Sequence, residues 1–323
     1  MSNPTFRPPT DSLSEEIRAY WRQLPDKGLF FGLLLAWLTL FHFWGSSSFG
    51  YVPSSSLFDF MRVSYQENKI TDDTHGTFIP IVVLGIMWWK RNDLFSRPLT
   101  TWWPGLLLVM AGVLTHVVGY LIQQQRLSII GLFIGIYGLT GLVWGLNWLK
   151  ASFFPFFLFG FMVPVGSLIE TVTFPLRLAV TWIVTHLFDD LLGIGVIRAG
   201  TQLFNPMGDY QYDVAAACGG MRSLIAISLI SISYGFLMFR SPWKRLIMVA
   251  ASLPLAVIGN VVRLSFIVAA GEIGGQKMGN DVHDSGFFSL LPYIPAIFGV
   301  MYIGRLLEKT EPVPNPAPQT RTL

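Results

Sequence analysis

The feature that most constrains this chain is its recurring long apolar runs, because about 20 apolar residues in a helix cross the roughly 30 Å hydrocarbon core of a bilayer. Eight such runs stand at approximately 28–44, 78–89, 103–122, 127–148, 153–169, 219–239, 246–270 and 287–303. In lipid each backbone N–H and C=O must be satisfied within the protein, so runs of this kind form helices. The expected fold is all-α: a polytopic integral membrane helical bundle of about eight transmembrane helices. Hydrophobic residues make up 52% of the chain and charged residues 13%, a balance that excludes a soluble enzyme. A further stretch, 174–192, carries Arg177, His186, Asp189 and Asp190 and reads as an amphipathic or re-entrant helix rather than a full span.

Orientation follows from the short loops that hold Lys and Arg. Arg18, Arg22 and Lys27 precede the first run, Lys90, Arg91 and Arg97 follow the second, and Lys150 follows the fourth. Arg240, Lys244 and Arg245 follow the sixth, and Arg305 and Lys309 follow the eighth. Both termini are therefore expected in the cytoplasm. The opposite loops hold Asp59, Glu67, Asp72, Asp73, Glu170, Asp209, Asp213, Glu272, Asp281 and Asp284. The net charge of +3 reflects the flanking Lys and Arg, and no basic cluster suggests nucleic acid. The expected organisation is a cytoplasmic leader over 1–27, a transmembrane domain over 28–307 and a Pro-rich, disordered cytoplasmic tail over 308–323. The leader is polar and lacks a small-residue cleavage site, so no cleavable signal peptide is expected. Gly131, Gly135, Gly141 and Gly145 recur at small-xxx-small spacing, which predicts close helix packing along the fourth run.

Cys218 is the only cysteine, so it forms no internal disulfide and is either packing filler or a working nucleophile. It lies where the polar stretch 205–213 gives way to the sixth apolar run. A thiol in the first turn of a helix meets the positive end of the helix dipole and unpaired N–H groups, which favour thiolate. Gly219 and Gly220 leave room beside it. The expected topology brings two further residues to the same side of the membrane. Arg263 lies about 17 residues into the seventh run, roughly 26 Å along it, and His283 falls in the outer loop before the eighth. An Arg in an apolar span is a functional candidate because its charge costs at least about 2.5 kcal/mol there; the competing reading is snorkelling to the headgroups. His283 suits a proton carrier, or a solvated loop histidine. Asn260, one turn before Arg263, faces the same way and suits an orienting role. Arg222 suits stabilisation of a thiolate, or an ion pair with Asp213.

These residues fall in three motifs: Cys218-Gly219-Gly220-Met221-Arg222, Asn260-Val261-Val262-Arg263 and His283-Asp284-Ser285-Gly286. In order, spacing and membrane setting the chain resembles the exosortase and archaeosortase family of membrane cysteine transpeptidases. The likeness runs from Thr74-His75-Gly76, through Phe161-Met162-Val163-Pro164 and Pro254-Leu255-Ala256, to Phe287. Gly219 stands where the family has Ser, and the chain looks like a short form without the extra soluble C-terminal domain that some members carry. The resemblance implies Cys218, Arg263 and His283 as catalytic residues, supported by Arg222, Asn260, Asp284 and His75; no cofactor is expected, and no metal, since Asp72, Asp73 and His75 have no second clustered ligand set. It implies substrates exported across the inner (plasma) membrane, each ending in a short motif such as Pro-Glu-Pro, an apolar helix and a basic cluster. Attack at the outer face releases the tail and passes the protein to an amine acceptor or water, among surrounding membrane lipids.

His75 follows Asp72, Asp73 and Thr74 at the entry to the second run, where a capping and packing role with Thr74 or Asp73 is expected ahead of substrate binding. Two other classes compete with the transpeptidase. A transporter or flippase fits eight spans, an intramembrane Arg and helices broken at Pro164, Pro175 and Pro254. A structural membrane protein of polysaccharide assembly requires no individually essential residue on the outer face.

Overall fold

The computed structural model describes residues 12–47, 54–66, 73–213, 220–291 and 293–309, and these are mostly helical. The chain divides into two compact units, Met1–Ser167 and Leu168–Leu323.

The first unit opens with α1 (Leu13–Gln23), whose N-cap Ser12 accepts from the Glu15 N–H at 3.3 Å. It is tied to α5 (Arg91–Phe95): Arg91 Nε donates to Glu16 at 2.7 Å, and the Tyr20 hydroxyl donates to Asn92. Helices α2 (Lys27–Trp44), α3 (Leu57–Gln66), α4 (Ile79–Trp89), α6 (Gly105–Leu121), α7 (Gln125–Trp144) and α8 (Leu146–Phe157) complete the unit. Lipid gives apolar helices little reason to associate, so close backbone approach and a few polar ties must hold them. The α6–α7 pair meets that need with glycine. A Cβ added to Gly112 would fall 2.7 Å from the Gly131 carbonyl oxygen, and one on Gly138 would fall 2.7 Å from the Val109 nitrogen. Gly135 receives the Trp37 ring of α2, whose Nε1 donates to the Leu132 carbonyl at 3.1 Å.

The glycine reading therefore holds for Gly131 and Gly135, while Gly145 does something else. At φ 97° it ends α7 and starts α8, a conformation open to glycine. The expected fourth run, 127–148, is cut there. The fifth, 153–169, is not one helix either: α8 tightens into a 3₁₀ turn over Leu158–Met162, the chain is non-helical at 163–165, and α9 begins at Gly166.

In the second unit α9 (Gly166–His186) runs into a π turn over Leu187–Leu191. The stretch expected as an amphipathic segment over 174–192 is thus the later part of a longer helix. Next comes an antiparallel sheet of β1 (Ile197–Ala199), β2 (Gln202–Phe204) and β3 (Gln211–Asp213), which the all-α expectation omitted. Helices α10 (Gly220–Met238), α11 (Pro242–Asp284), α12 (Gly286–Ser289) and α13 (Tyr293–Glu308) follow. One apolar cluster joins α10, α11 and α13 through Leu224, Ile227, Met248, Leu255, Ala296 and Val300. A second joins α9, the sheet and α11 through Val180, Val184, Leu203, Tyr210, Tyr212, Leu264 and Ile267.

Among the described residues four helical stretches are long and apolar enough to cross a membrane: Lys27–Trp44, Gln125–Trp144, Pro242–Asp284 and Gly286–Glu308. Ile79–Trp89, Gly105–Leu121, Leu146–Met162 and Ser223–Met238 are apolar but shorter.

The glycine seam yields a contrast. Gly112→Ala is expected to cost about 1–3 kcal/mol, because the added methyl meets backbone that cannot swing aside. Gly85→Ala on α4, where nothing lies within 4 Å, is expected to be neutral or stabilising by up to about 1 kcal/mol. Thermal unfolding of the two variants in detergent checks this, and equal stability contradicts it.

Candidate functional site

As a straight rod the 43 residues of α11 would measure roughly 65 Å, twice the bilayer core. The helix does not stay straight. Gly274 (φ −133°, ψ 17°) and Gly275 (φ 69°, ψ −169°) leave helical geometry, and the Gly275 conformation is one that side chains with a Cβ avoid. The chain reverses there. A Cβ on Gly279 would lie 3.2 Å from the Ile267 carbonyl oxygen, Val282 packs on the cluster that holds Leu264 and Ile267, and the Phe288 ring lies 6.2 Å from that of Phe266. The limb 276–284 therefore runs back along the limb 242–273. With Gly279 facing Ile267, one further turn along each limb brings His283 and Arg263 to corresponding levels.

Three sets of contacts from β3 and the turn between β2 and β3 secure this reversal. The Asp209 carbonyl accepts from the Gln276 N–H at 3.2 Å, and Gln276 Oε1 accepts from the Gln211 N–H at 2.6 Å. The Tyr210 hydroxyl donates to Glu272 Oε1 at 2.6 Å, and Asn205 Nδ2 lies 3.4 and 3.5 Å from the two carboxylate oxygens. Burial, together with the hydrogen bond to the Glu272 carboxylate, raises the Tyr210 phenol above its usual value, so it remains a donor. Finally, Tyr212, stacked on Tyr210 at 5.1 Å, sits between Gly271 and Gly279: a Cβ on either glycine would lie 2.9 or 1.7 Å from its hydroxyl.

His283 occupies the last turn of α11, not a loop as expected. Its side chain is 28% exposed, and Nδ1 lies 2.8 Å from Oδ1 of Asp284, which is 78% exposed. A carboxylate only accepts, so Nδ1 carries the proton and Nε2 of the neutral ring has a free lone pair. Arg263 is half-buried. The limb that bears it continues ten residues further, to Ile273, so it does not sit at the helix end. Asn260, one turn earlier and buried, accepts from Ser223 Oγ at 2.9 Å. That bond pins the first turn of α10 to the Arg263 limb.

Cys218 and Gly219 lie outside the described residues; Gly220, two residues on, opens α10. Arg222 belongs to the first turn of that helix, and its side chain is outside the described residues. The Asp213 carboxylate accepts from Thr201 at 3.2 Å and Gln202 at 3.5 Å.

His75 belongs to the first unit, in a 3₁₀ turn over Asp73–Thr77. Asp73 is buried and accepts from the Val165 N–H at 3.2 Å, while the Tyr65 ring covers Gly76 and its hydroxyl donates to the Met162 carbonyl. The expected cap on the following helix is absent: Phe78 holds the N-cap position of α4 without a side-chain hydrogen bond. His75 itself is half-buried in that turn, between buried Asp73 and Gly76.

Tyr210, Tyr212, Glu272, Gln276 and the glycines at 275 and 279 were not picked out from sequence. The signals were there: a Gly274-Gly275 doublet just past an apolar run, an Asn205-Pro206-Met207-Gly208 turn, and Tyr210 and Tyr212 alternating with Gln211 and Asp213.

The family model described as transmembrane exosortase matches residues 68–301. No curated protein and no solved structure matches the chain.

The Tyr210–Glu272 bond has a measurable consequence. Tyr210→Phe leaves a carboxylate without its best donor and is expected to cost about 1–3 kcal/mol at neutral pH. Because the folded phenol titrates above the ordinary 10.0, its contribution is complete below pH 10 and fades as pH rises through the folded value. The stability difference between wild type and Tyr210→Phe should therefore narrow only above pH 10. A difference that is absent at pH 7, or that disappears well below pH 10, contradicts the assignment.

Proposed function

Because the chain belongs to the transmembrane exosortase family, we propose that it is a membrane-embedded cysteine transpeptidase acting on exported proteins that carry a C-terminal sorting signal. The observation that carries this reading is the reversal of α11, which sets His283 level with Arg263 while Asn260 ties that limb to the helix opening just after Cys218.

In the proposed reaction His283 Nε2 takes the Cys218 proton and the sulfur attacks a backbone carbonyl near the sorting motif. Arg263 donates to the oxygen as it becomes negative, and Asn260 orients Arg263. The C–N bond then breaks: the imidazolium returns its proton to the leaving amine, the tail departs, and the protein remains as a thioester on Cys218. An amine acceptor or water, deprotonated by the same imidazole, attacks the thioester and regenerates the thiol. Asp284 holds Nδ1–H and so fixes the tautomer that leaves Nε2 basic. Arg222 supports the thiolate. The alternation of basic loops supports eight spans, cytoplasmic termini and a site on the outer face of the inner (plasma) membrane.

Processing of a co-expressed reporter ending in Pro-Glu-Pro, an apolar helix and a basic cluster tests this. Cys218→Ala and Cys218→Ser are expected to insert in the membrane and leave the tail attached. Arg263→Lys is expected to be nearly as inactive as Arg263→Ala, since an ammonium lacks the planar fork of donors. His283→Ala is expected to lose turnover and with it the acidic limb of the pH–rate profile. Wild-type processing by Cys218→Ala overturns the cysteine mechanism, and transport that survives loss of the thiol would support a transporter instead.

A further inference from the structure

We propose that Tyr212 is a positioning residue for this chemistry: its ring is the spacer that sets the distance between the Arg263 limb and the His283 limb. The inference rests on the reading of those two residues just given. Two helices that meet at glycine collapse together unless something fills the seam, and here the filler is an aromatic ring. Tyr212 is 3% exposed, and its hydroxyl end abuts Gly271 on one limb and Gly279 on the other. Gly279 lies one turn before His283. The Ile267 carbonyl, one turn after Arg263, is the next atom that Gly279 would meet. Any change in the ring's bulk is therefore transmitted over a single turn to each of the two side chains. The ring itself has little freedom to move. It is held by stacking on Tyr210, by β3 pairing with β2 through Leu203 opposite Tyr212, and by the tie from Gln211 to Gln276.

The hydroxyl has a different status from the ring. It is buried with no hydrogen-bond partner among the described residues, so its removal breaks no bond there. A spacer role thus predicts a split between Tyr212→Phe, which keeps the ring, and Tyr212→Ala, which deletes it. Gly279→Ala forms the complementary insult, since its methyl would sit 1.7 Å from the hydroxyl oxygen and force the limbs apart.

The test measures kcat and KM for the reporter described above, and the pH midpoint of Cys218 alkylation, in membranes holding the full-length protein. Tyr212→Phe is expected to keep kcat within about twofold of wild type. Tyr212→Ala and Gly279→Ala are expected to lower kcat about 100-fold with KM little changed, the scale of an ångström-sized misplacement of reacting groups. In both, the alkylation midpoint should move to higher pH, because an imidazolium set further from the sulfur stabilises the thiolate less. A merely structural tyrosine would lower the amount of folded protein without moving that midpoint. Should Tyr212→Ala fail to accumulate, Tyr212→Leu, which fills part of the seam, supplies an intermediate kcat and an intermediate midpoint. Wild-type kcat and midpoint in folded Tyr212→Ala or Tyr212→Leu overturn the proposal. Damage in Tyr212→Phe equal to that in Tyr212→Ala overturns it too, by moving the role from ring to hydroxyl. Cys218→Ala measured alongside separates the two levels. Unimpaired cleavage there sinks the cysteine chemistry, whereas inactive Cys218→Ala beside unimpaired Tyr212→Ala sinks only the spacer.

Discussion

The reversal of α11 at Gly274 and Gly275 is the constraint on which the second unit depends. A helix that passed straight through these positions would carry the segment 276–284 away from the residues it now packs against. Two consecutive residues outside helical geometry leave backbone groups without their i–4 partners, and those groups need partners from elsewhere. The sheet supplies a partner for one of them, the Gln276 N–H, from the Asp209 carbonyl. The turn between β2 and β3 also supplies the Tyr210 phenol and the Asn205 amide to the half-buried Glu272. The small sheet is therefore not an ornament on a helical protein. It makes a glycine break in a long apolar helix affordable.

The first unit solves a related problem with less polar chemistry. There α6 and α7 approach through Gly112, Gly131, Gly135 and Gly138, and the Trp37 indole fills the groove that the glycines leave. Both units use glycine to let backbones close and an aromatic ring to key the seam: Trp37 over Gly135 in one, Tyr212 between Gly271 and Gly279 in the other. The difference lies in the polar load. Beside Tyr212 stand Glu272, Gln276 and Asn205, which fix the register of the reversal; beside Trp37 the polar tie is a single indole N–H.

Much of this was legible in the sequence where one physical effect dominates. Apolar run length located the helices α2, α4, α6 and α10 to within a few residues, because hydrophobic length is the strongest local signal a membrane chain carries. It failed at Gly145 and at 163–165, where the composition stays apolar while the backbone turns, so hydropathy has no contrast to detect. It also hid the reversal of α11. The run 246–270 was taken to end at a polar loop, whereas helix continues on both sides of the glycine doublet and carries His283. The stretch 205–213 read as solvated polar chain because Asn205, Asp209, Gln211 and Asp213 dominate its composition, yet its two tyrosines face inward with strand periodicity. The motif residues Asn260, Arg263 and His283 were visible from chemistry and spacing. Their mutual register was not, since it depends on a tertiary contact between Gly279 and Ile267.

That register can be measured. With Cys218 replaced by Ala, cysteines at 263 and 283 would be treated in membranes with a short bifunctional thiol reagent, and the digest searched by mass spectrometry for the joined peptides. A continuous helix would hold positions 20 residues apart at roughly 30 Å, beyond the reach of such a reagent. The folded-back helix predicts rapid and nearly complete joining of 263 to 283, with little joining when the second cysteine is placed instead at Ile273. Independent modification of both cysteines, with no joined peptide, would contradict the account.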